Sequence, residues 1–208
     1  MAEYTFFTNP MSRGQIARWA LHEAGADYAQ ILVDWEAKPD AFTAANPMGK
    51  VPTIVHHHGG HDHAVSEAAA ICHYLAETHP DARLLPDSHE RAAYYRWLFF
   101  AAGPVEQAVA RSMGWDVPEG KGGMVGFGSF EKTMEVFSGH FEAHDFVCGS
   151  RFTMADVYVG SQIDWGLAFG SIPETPSFAA YAERLRARPK YAEAKAIDMD
   201  LIQQAQKH

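Results

Sequence analysis

The stretch NPMGKVPTI, from Asn46 to Ile54, places a proline directly after a β-branched valine and ahead of an apolar run. Pro52 has no N–H to donate to a sheet, so it can stand only at the first residue or at the edge of a strand. If the Val51–Pro52 bond is cis, the N–H and C=O of Val51 are open to a ligand that pairs there as a short antiparallel strand. Glu67 and the first N–H groups of the next helix offer a carboxylate to an ammonium group and a positive helix end to a carboxylate. The pattern suits a small zwitterionic peptide, and a rigid turn followed by an ordinary helix cap accounts for the same residues.

The composition is that of an ordinary globular chain with a net negative charge. It has 208 residues, 47% of them apolar and 21% charged, and a formal net charge of −9. That charge argues against nucleic acid or an anionic membrane as a partner, since both need clustered Lys and Arg. Cys72 and Cys148 form no CxxC pair, which predicts neither a disulfide scaffold nor a dithiol redox site and fits a reducing compartment. The chain shows no leader pattern and no apolar run near the ~18 residues of a membrane span. We therefore expect a cytoplasmic protein.

The first 79 residues carry alternating strand and helix signals. Tyr4–Thr8 is a short aromatic run, apolar residues after Ser12 recur with helical spacing, and Gly25 supplies a helix end. A second strand over Tyr28–Val33 completes a right-handed βαβ unit. The remaining signals are a polar helical stretch, two short strands around Gly59-Gly60 and a further helix: Glu36–Ala45, Pro52–His56, Ala64–Val65 and 67–78. This order predicts a thioredoxin-like α/β domain over residues 1–79.

The rest of the chain carries helical signals alone. Residues 80–89 hold two prolines and little periodicity, which predicts a linker. Thr153 and Asp156 match a capping box at the start of a buried helix, and the glycine-rich interval 120–128 is expected to loosen or break a helix. One apolar helix face is traced by Ala92, Tyr95, Leu98, Phe99 and Ala102. Further helical runs are Phe130–Phe146, Met154–Leu167 and Phe178–Arg188. We predict an all-helical domain over 90–208.

Four sequence blocks, in this order, resemble the cytosolic glutathione transferase family over nearly the whole chain. The first helix of that family and the loop before it are similar to NPMSRGQIARWALHEAG. Its glutathione-site strand and third helix are similar to NPMGKVPTI and SEAAAICHYL, and its second-domain capping box is similar to GSRFTMADV. The resemblance implies the family fold, glutathione as co-substrate and a homodimer. It also implies an enzyme that joins the glutathione sulfur to a small apolar electrophile.

Such a reaction requires a thiol with a reference pKa of about 8.5 to be held as a thiolate near neutral pH. In the family, a Tyr, Ser or Cys near the first helix supplies the hydrogen bond, and the resemblance places Phe7, which has no hydroxyl, at the tyrosine position. Ser12 is therefore the catalytic candidate, because its O–H stands at a helix N-terminus whose dipole assists. The position of Ser12 fits a plain N-cap equally well. Asn9, the Met11 N–H and Arg13 remain alternatives for the group that contacts the sulfur.

The resemblance assigns part of the glutathione site to the segment around Pro52. The backbone of Val51 pairs with the cysteinyl part of glutathione, and Pro52 fixes that turn. Lys50 stands where the family often has Gln or Lys near the glycyl carboxylate, although a solvated loop lysine fits as well.

The γ-glutamyl end of glutathione is assigned to the start of the third helix. Glu67 matches the family acid or amide that meets this group. Ala68 stands where the family usually has serine, which removes a hydroxyl and keeps the N–H. Ser66 can cap the helix instead.

The second substrate of this family binds an apolar cleft. The candidates for its wall are aromatic and methionine side chains of the helical half: Phe99, Phe100, Met113, Trp115 and Phe127. Each of them can equally be a core residue, because an aromatic residue on a helix more often packs inside the protein than lines a ligand site.

The run HHHGGHDH, from His56 to His63, contains five His and one Asp, types that bind zinc, copper or nickel. We place it on a turn between two strands, where alternate side chains point to opposite faces. We therefore expect no resident metal, and a metal-handling module stays a rival function.

Other rival functions concern the glutathione site itself. They are isomerisation, reductive deglutathionylation or peroxide reduction at the same site, and a non-catalytic binding protein, which Ala68 favours. The two reductive reactions usually use a cysteine at the active position, where this chain has none.

Overall fold

The computed structural model describes residues 2–115 and 117–207, which form two compact units. One unit comprises the chain up to Leu85 together with the chain from Ala187 onward, and the other is Pro86–Arg186. The first is built around a sheet and the second is helical, as the sequence predicted. Among the described residues, no helix is long and apolar enough to cross a membrane.

The sheet of the first unit has four strands in the order β2–β1–β3–β4. Strand β1 pairs parallel with β2 and antiparallel with β3, which pairs antiparallel with β4. The strands are β1 (Tyr4–Thr8), β2 (Tyr28–Leu32), β3 (Thr53–His58) and β4 (His61–Ser66). The helices are α1 (Gly14–Ala24), α2 (Asp40–Ala45), α3 (Ala68–Thr78) and α9 (Pro189–Ala205). The βαβ unit and the thioredoxin-like order are thus confirmed.

Alternate residues of β1 pack on opposite faces of the sheet, as the period of two requires. Phe6 lies beneath the guanidinium group of Arg18 on α1, 5.3 Å from the ring centroid. Phe7 is 3% exposed and packs against Phe42 of α2, with ring centroids 5.5 Å apart. The sheet is therefore covered on both faces.

Strands β3 and β4 run further than predicted. They are paired from Thr53 with Ser66 to His58 with His61, and Gly59 and Gly60 form the turn with φ of 62° and 78°. A two-residue turn with two positive φ values matches the twist of a hairpin, so the ladder continues up to it. The placement of the histidines on the turn was therefore wrong: they lie in the strands. Helix α2 is also shorter than expected, beginning after Pro39.

The second unit contains helices α4 (Arg91–Phe100), α5 (Glu106–Ser112), α6 (Phe130–Ala143), α7 (Met154–Phe169) and α8 (Pro176–Arg186). A π-helical turn over Ala101–Val105, containing Pro104, joins α4 to α5. The predicted apolar face of α4 was right for Leu98, which is buried, and wrong for Tyr95 and Phe99. Tyr95 and Phe99 are 42% and 67% exposed, whereas Tyr94 and Trp97 are buried.

Asp156, near the start of α7, holds the second unit together through one buried carboxylate. It accepts hydrogen bonds from the N–H groups of Val147 at 2.7 Å and Thr153 at 2.8 Å, and from the Tyr181 hydroxyl at 2.8 Å. The predicted capping box is present. Burial raises the pKa of Asp156 to about 6, and these hydrogen bonds oppose that rise.

Helix α9 is a feature that the apolar pattern did not predict. It packs on α1 and belongs to the unit of the sheet. The domain limits expected from the sequence, 1–79 and 90–208, assign it to the helical half. Those limits stay a prediction about which segments fold on their own.

His140 of α6 is packed between Trp97 and His144. Its ring centroid lies 4.3 Å from that of Trp97 and 4.4 Å from that of His144, and Nε2 donates to the Val147 carbonyl at 3.0 Å. Burial lowers the pKa of His140 to about 4.

We expect His140 to make folding sensitive to mild acid. The unfolded chain protonates this side chain below about pH 6.5, whereas the folded protein does so only below about 4. The contribution of His140 to the free energy of unfolding therefore falls by up to about 3 kcal/mol as the pH drops through this window. Asp156, whose pKa is raised to about 6, contributes in the opposite direction and is present in all the variants compared. Urea titrations at several pH values should show that His140→Gln, which can still donate to Val147, loses much of this slope. The exposed neighbour provides the control, His144→Gln, which should keep it; equal slopes in all three proteins would contradict the assignment.

Gly14, the first residue of α1, lies against the end of β1. A Cβ at this position would stand 2.1 Å from the Thr8 Oγ1 and 3.0 Å from the Asn9 carbonyl oxygen. Thr8 is fully buried. The helix therefore needs glycine here for close approach to the strand.

We expect Gly14→Ala to lower the free energy of unfolding by about 1–3 kcal/mol, because the added methyl group overpacks the junction. Gly139→Ala in α6 is the matched control, since a Cβ there meets no atom within 4 Å. The control should gain about 0.5–1 kcal/mol from helix propensity. Urea unfolding measures both changes, and an unchanged midpoint for Gly14→Ala would contradict the close approach.

Candidate functional site

Three chain segments meet at one end of the sheet. The last residues of β1 lie beside the first residues of β3, with Phe7 opposite Thr53, and Thr53 in turn pairs with Ser66 at the end of β4. The loop after β1, the Val51–Pro52 turn before β3 and the Ser66–Ala68 segment after β4 therefore come together. These are the segments that the sequence pattern singled out, far apart along the chain.

Asn9 organises the loop between β1 and α1. Its Nδ2 donates to the Val33 carbonyl at 3.0 Å, and its Oδ1 accepts the Met11 N–H at 2.9 Å. The main-chain carbonyl of Asn9 accepts the Ser12 hydroxyl at 2.6 Å. One residue thus ties the loop to the strand and closes it on itself.

Ser12 has its single hydroxyl proton directed at this carbonyl, and its Oγ accepts the Gly14 N–H at 3.0 Å. It therefore closes the turn that leads into α1. To contact an incoming sulfur, the O–H has to rotate away from the Asn9 carbonyl. The Met11 N–H is likewise engaged, by the Asn9 side chain. The side chains of Met11 and Arg13 are exposed.

The Val51–Pro52 peptide bond is cis. In the part of the chain that the structure describes, neither the N–H nor the C=O of Val51 is hydrogen-bonded. The turn is held from behind by Asn46, which is 5% exposed. Its Nδ2 donates to the Lys50 carbonyl at 2.9 Å and to the Thr53 Oγ1 at 3.0 Å. Sequence reasoning missed this role, although an Asn-Pro dipeptide at the head of a loop is a turn signal.

Glu67 precedes α3 with a φ of 67°, a left-handed value that costs a non-glycine residue about 1–3 kcal/mol. It makes no side-chain cap hydrogen bond. Helix geometry leaves the first N–H groups of α3, starting with that of Ala68, without partners inside the helix. The segment thus presents a carboxylate beside open backbone donors.

Two lysines lie near the cis bond, Lys50 on the loop before it and Lys38 ahead of α2. The Lys50 side chain is exposed. The Lys38 Nζ lies 3.1 Å from where a Cβ of Gly49 would stand, which places a second cation against the same loop. Lys38 was not a sequence candidate, because nothing in its neighbourhood signals this approach.

The residues predicted to bind the second substrate lie in the other unit and differ in exposure. Phe99, Met113 and Trp115 are 67%, 75% and 76% exposed. Phe127 is buried at 8% exposure, and the half-buried Phe100 packs on Trp97 and Phe137. The apolar pocket stays a prediction.

The histidine side chains of β3 form hydrogen bonds with nearby residues. His57 Nδ1 bonds the Asp62 Oδ1 at 2.6 Å, and the His56 Nδ1 bonds the Tyr74 hydroxyl at 2.9 Å. Burial lowers the pKa of His56. Across residues 2–115 and 117–207, no group of three or more His, Cys, Asp or Glu side chains has the arrangement to hold a metal ion.

Comparisons with known proteins agree on one family over most of the chain. Residues 11–78 match the family model described as glutathione S-transferase, N-terminal domain, and residues 127–189 match the glutathione S-transferase, C-terminal domain. The chain is 27% identical to glutathione S-transferase GstA of Escherichia coli O157:H7, over 92% of this chain and 97% of that protein. It is 25% identical to disulfide-bond oxidoreductase YfcG of Escherichia coli K12, over 89% and 91%.

Among solved structures, a theta class glutathione S-transferase from Xanthomonas axonopodis pv. citri, with glutathione bound, is 26% identical with a TM-score of 0.71. The match covers 93% of this chain and 97% of that one. On these grounds, together with the sheet order and the two matched domains, the chain belongs to the glutathione S-transferase family.

Proposed function

We propose that this protein is a glutathione transferase, which uses glutathione as co-substrate and conjugates its thiolate to a small hydrophobic electrophile. The observation that carries the proposal is the unpaired backbone of Val51 beside the cis bond, at the end of the sheet where the other two segments meet. A peptide that adds an edge strand there satisfies both backbone groups. The glutathione bound to the Xanthomonas relative supports the choice of peptide.

In this proposal, each of the three segments binds a different part of glutathione. The cysteinyl backbone pairs with Val51, and Pro52 sets the direction of that turn. The γ-glutamyl ammonium group meets Glu67, while its carboxylate meets the N–H of Ala68 and the Ser66 hydroxyl at the helix end. The glycyl carboxylate faces Lys50, with Lys38 as a second cation.

The thiol is activated at the loop after β1, where Asn9, Met11, Ser12 and Arg13 lie. The thiol proton leaves to solvent, and the Ser12 O–H turns from the Asn9 carbonyl to the sulfur. A hydrogen bond to an anion is about twice as strong as one between neutral groups, so the exchange favours the thiolate. The thiolate then forms a carbon–sulfur bond with the electrophile, and the leaving group departs with the electron pair.

A specific observation favours a second candidate, a protein that binds glutathione without turnover. The Ser12 proton already has a good acceptor 2.6 Å away. Tight binding of glutathione with no conjugation of a broad electrophile panel would support this candidate.

Isomerase, peroxidase and reductase reactions remain rivals at the same site, and similarity to YfcG keeps disulfide reduction among them. The two cysteines of this chain do not favour the reactions that use a catalytic cysteine. Burial raises the pKa of Cys148 to about 11 and raises that of Cys72 as well, so neither thiol is ionised near pH 7.

We also infer a cytoplasmic homodimer. The exposed Tyr95 and Phe99 on α4 offer apolar surface that a second copy would cover. The two free thiols are compatible with a reducing compartment. Light scattering of the purified protein measures the oligomeric state.

Ser12→Ala tests the catalytic role. We expect kcat/KM for glutathione with a chlorinated dinitrobenzene to fall about tenfold. In the wild-type protein the Ser12 hydroxyl exchanges a neutral hydrogen bond for a stronger one to the thiolate, and the variant lacks this gain. The Kd of glutathione should change little near pH 6, where the thiol is protonated. Ser177→Ala in α8, whose hydroxyl pairs with Thr175, is the control and should keep full activity. Full activity in Ser12→Ala would assign thiol activation to another group of the loop.

Glu67→Gln tests the γ-glutamyl contact separately. We expect the Kd of glutathione, measured by calorimetry, to rise about 5–30-fold, because the ammonium group loses a charged partner worth about 1–2 kcal/mol. Glu77→Gln, on the helix that Glu67 precedes and paired with His73, is the control and should bind normally. Equal affinities would remove Glu67 from the site.

A further inference from the structure

Helix α9 is attached to α1 by polar contacts along its length. Arg188 bonds both carboxylate oxygens of Glu23 at 2.7 Å, and Asp198 bonds the buried Arg18 at 2.9 Å. Lys195 lies between Arg188 and Asp198 along the chain, and its Nζ donates to the Oε1 of Gln15 at 2.7 Å. Gln15 lies in the first turn of α1, just after the loop that carries Ser12.

The Gln15 side-chain amide also binds the loop before α1. Its Nε2 donates to the Pro10 carbonyl at 2.6 Å. The orientation of the amide is fixed by its partners, because a lysine ammonium group can only donate and a carbonyl oxygen can only accept. Lys195 thus selects the amide orientation in which Gln15 can hold the loop.

The Pro10 carbonyl belongs to the same peptide unit as the Met11 N–H. That unit is planar, so fixing both of its polar ends fixes its rotation. Gln15 binds the carbonyl end, and the Asn9 Oδ1 binds the N–H end. The Pro10–Met11 peptide plane, which ends at the residue before Ser12, is therefore held at both of its polar ends, and Lys195 of α9 supports the carbonyl end.

Lys195 is held in place for this contact. Its Nζ lies 5.6 Å from the centroid of the Tyr191 ring, and Tyr191 in turn packs edge-on against Trp19 of α1 at 5.0 Å. The ion pair of Asp198 with Arg18 follows within one helical turn of Lys195. The ammonium group is thus fixed by packing as well as by Gln15.

We propose that Lys195 and Gln15 are positioning residues for the loop that carries Ser12 and Met11, so that the C-terminal helix sets the geometry of thiol activation. The catalytic reading rests on the proposed function. The positioning itself is a property of the folded chain and is measurable without turnover.

The first test is hydrogen exchange at the Met11 amide, followed by NMR. Lys195→Met keeps the length of the side chain and removes the donor, and we expect Met11 exchange to become about tenfold faster. Lys190→Met is the matched control on the same helix, since Lys190 pairs with Glu193 of that helix at 2.9 Å, and it should leave Met11 exchange unchanged. Lys195→Arg restores a donor and should restore slow exchange. Unchanged Met11 exchange in a folded Lys195→Met protein overturns the proposal whether or not the enzyme is active.

The second test uses conjugation of glutathione in the wild-type protein. We expect Lys195→Met to lower kcat about threefold at saturating glutathione with little change in KM, and to move the thiol titration in the pH–rate profile upward. Gln15→Glu, which cannot donate to the Pro10 carbonyl, should show the same direction of change. A wild-type protein without turnover contradicts the proposed function and leaves the exchange result to decide the positioning. Normal turnover and pH profile in both variants contradict the role in activation.

Discussion

The buried ion pair between Arg18 and Asp198 is the interaction on which the first unit most depends. Both side chains are almost fully buried, and the Arg18 guanidinium also bonds the Tyr28 hydroxyl at 3.0 Å and lies over the Phe6 ring. Removing one partner of such a pair leaves a buried charge and costs about 3–5 kcal/mol. Burial raises the pKa of Asp198, whereas the charge of Arg18 lowers it. The pair therefore fixes α9 against α1 in one position, and α1 against the sheet.

That fixed position explains how a remote helix reaches the site. Arg18 lies one turn after Gln15 on α1, and Asp198 lies three residues after Lys195 on α9, so the ion pair and the lysine–glutamine contact are neighbours. Contacts within one network are coupled, and their effects on stability do not add independently. A loop without regular structure thus gains its geometry from two helices that are attached by ion pairs as well as by the packing of Tyr191 on Trp19.

The sequence predicted the parts of the site where backbone chemistry restricts the residue type. Pro52 can stand only where no ladder N–H is needed, and the hairpin that follows brings Ser66 beside it. Gly14 is likewise a position where the backbone restricts the residue type, but its close approach to Thr8 is visible only in the structure. Helix α9 was not predicted from apolar periodicity, because the face that contacts α1 includes the charged residues Lys195, Asp198 and Glu193. A search for regularly spaced apolar residues does not detect such a face. On α4, Tyr95 and Phe99 satisfy the periodicity and yet face outward, since an apolar stripe does not state what will cover it.

The resting position of the Ser12 hydroxyl limits how much that one group can contribute. A neutral hydrogen bond contributes about 0.5–1.5 kcal/mol and one to a charged group about 1.5–3, so exchanging the Asn9 carbonyl for a thiolate gains roughly 1–1.5 kcal/mol. That difference is worth about a factor of ten in rate. Stabilising a thiolate further requires donors that lose no partner on binding, and the N-terminus of α1 supplies such a field without any rearrangement. Its direction is set by the close packing of Gly14 on Thr8 and by the clamp on the Pro10–Met11 peptide. Under the proposed function, the placement of the loop therefore contributes to activation alongside the hydroxyl that it carries.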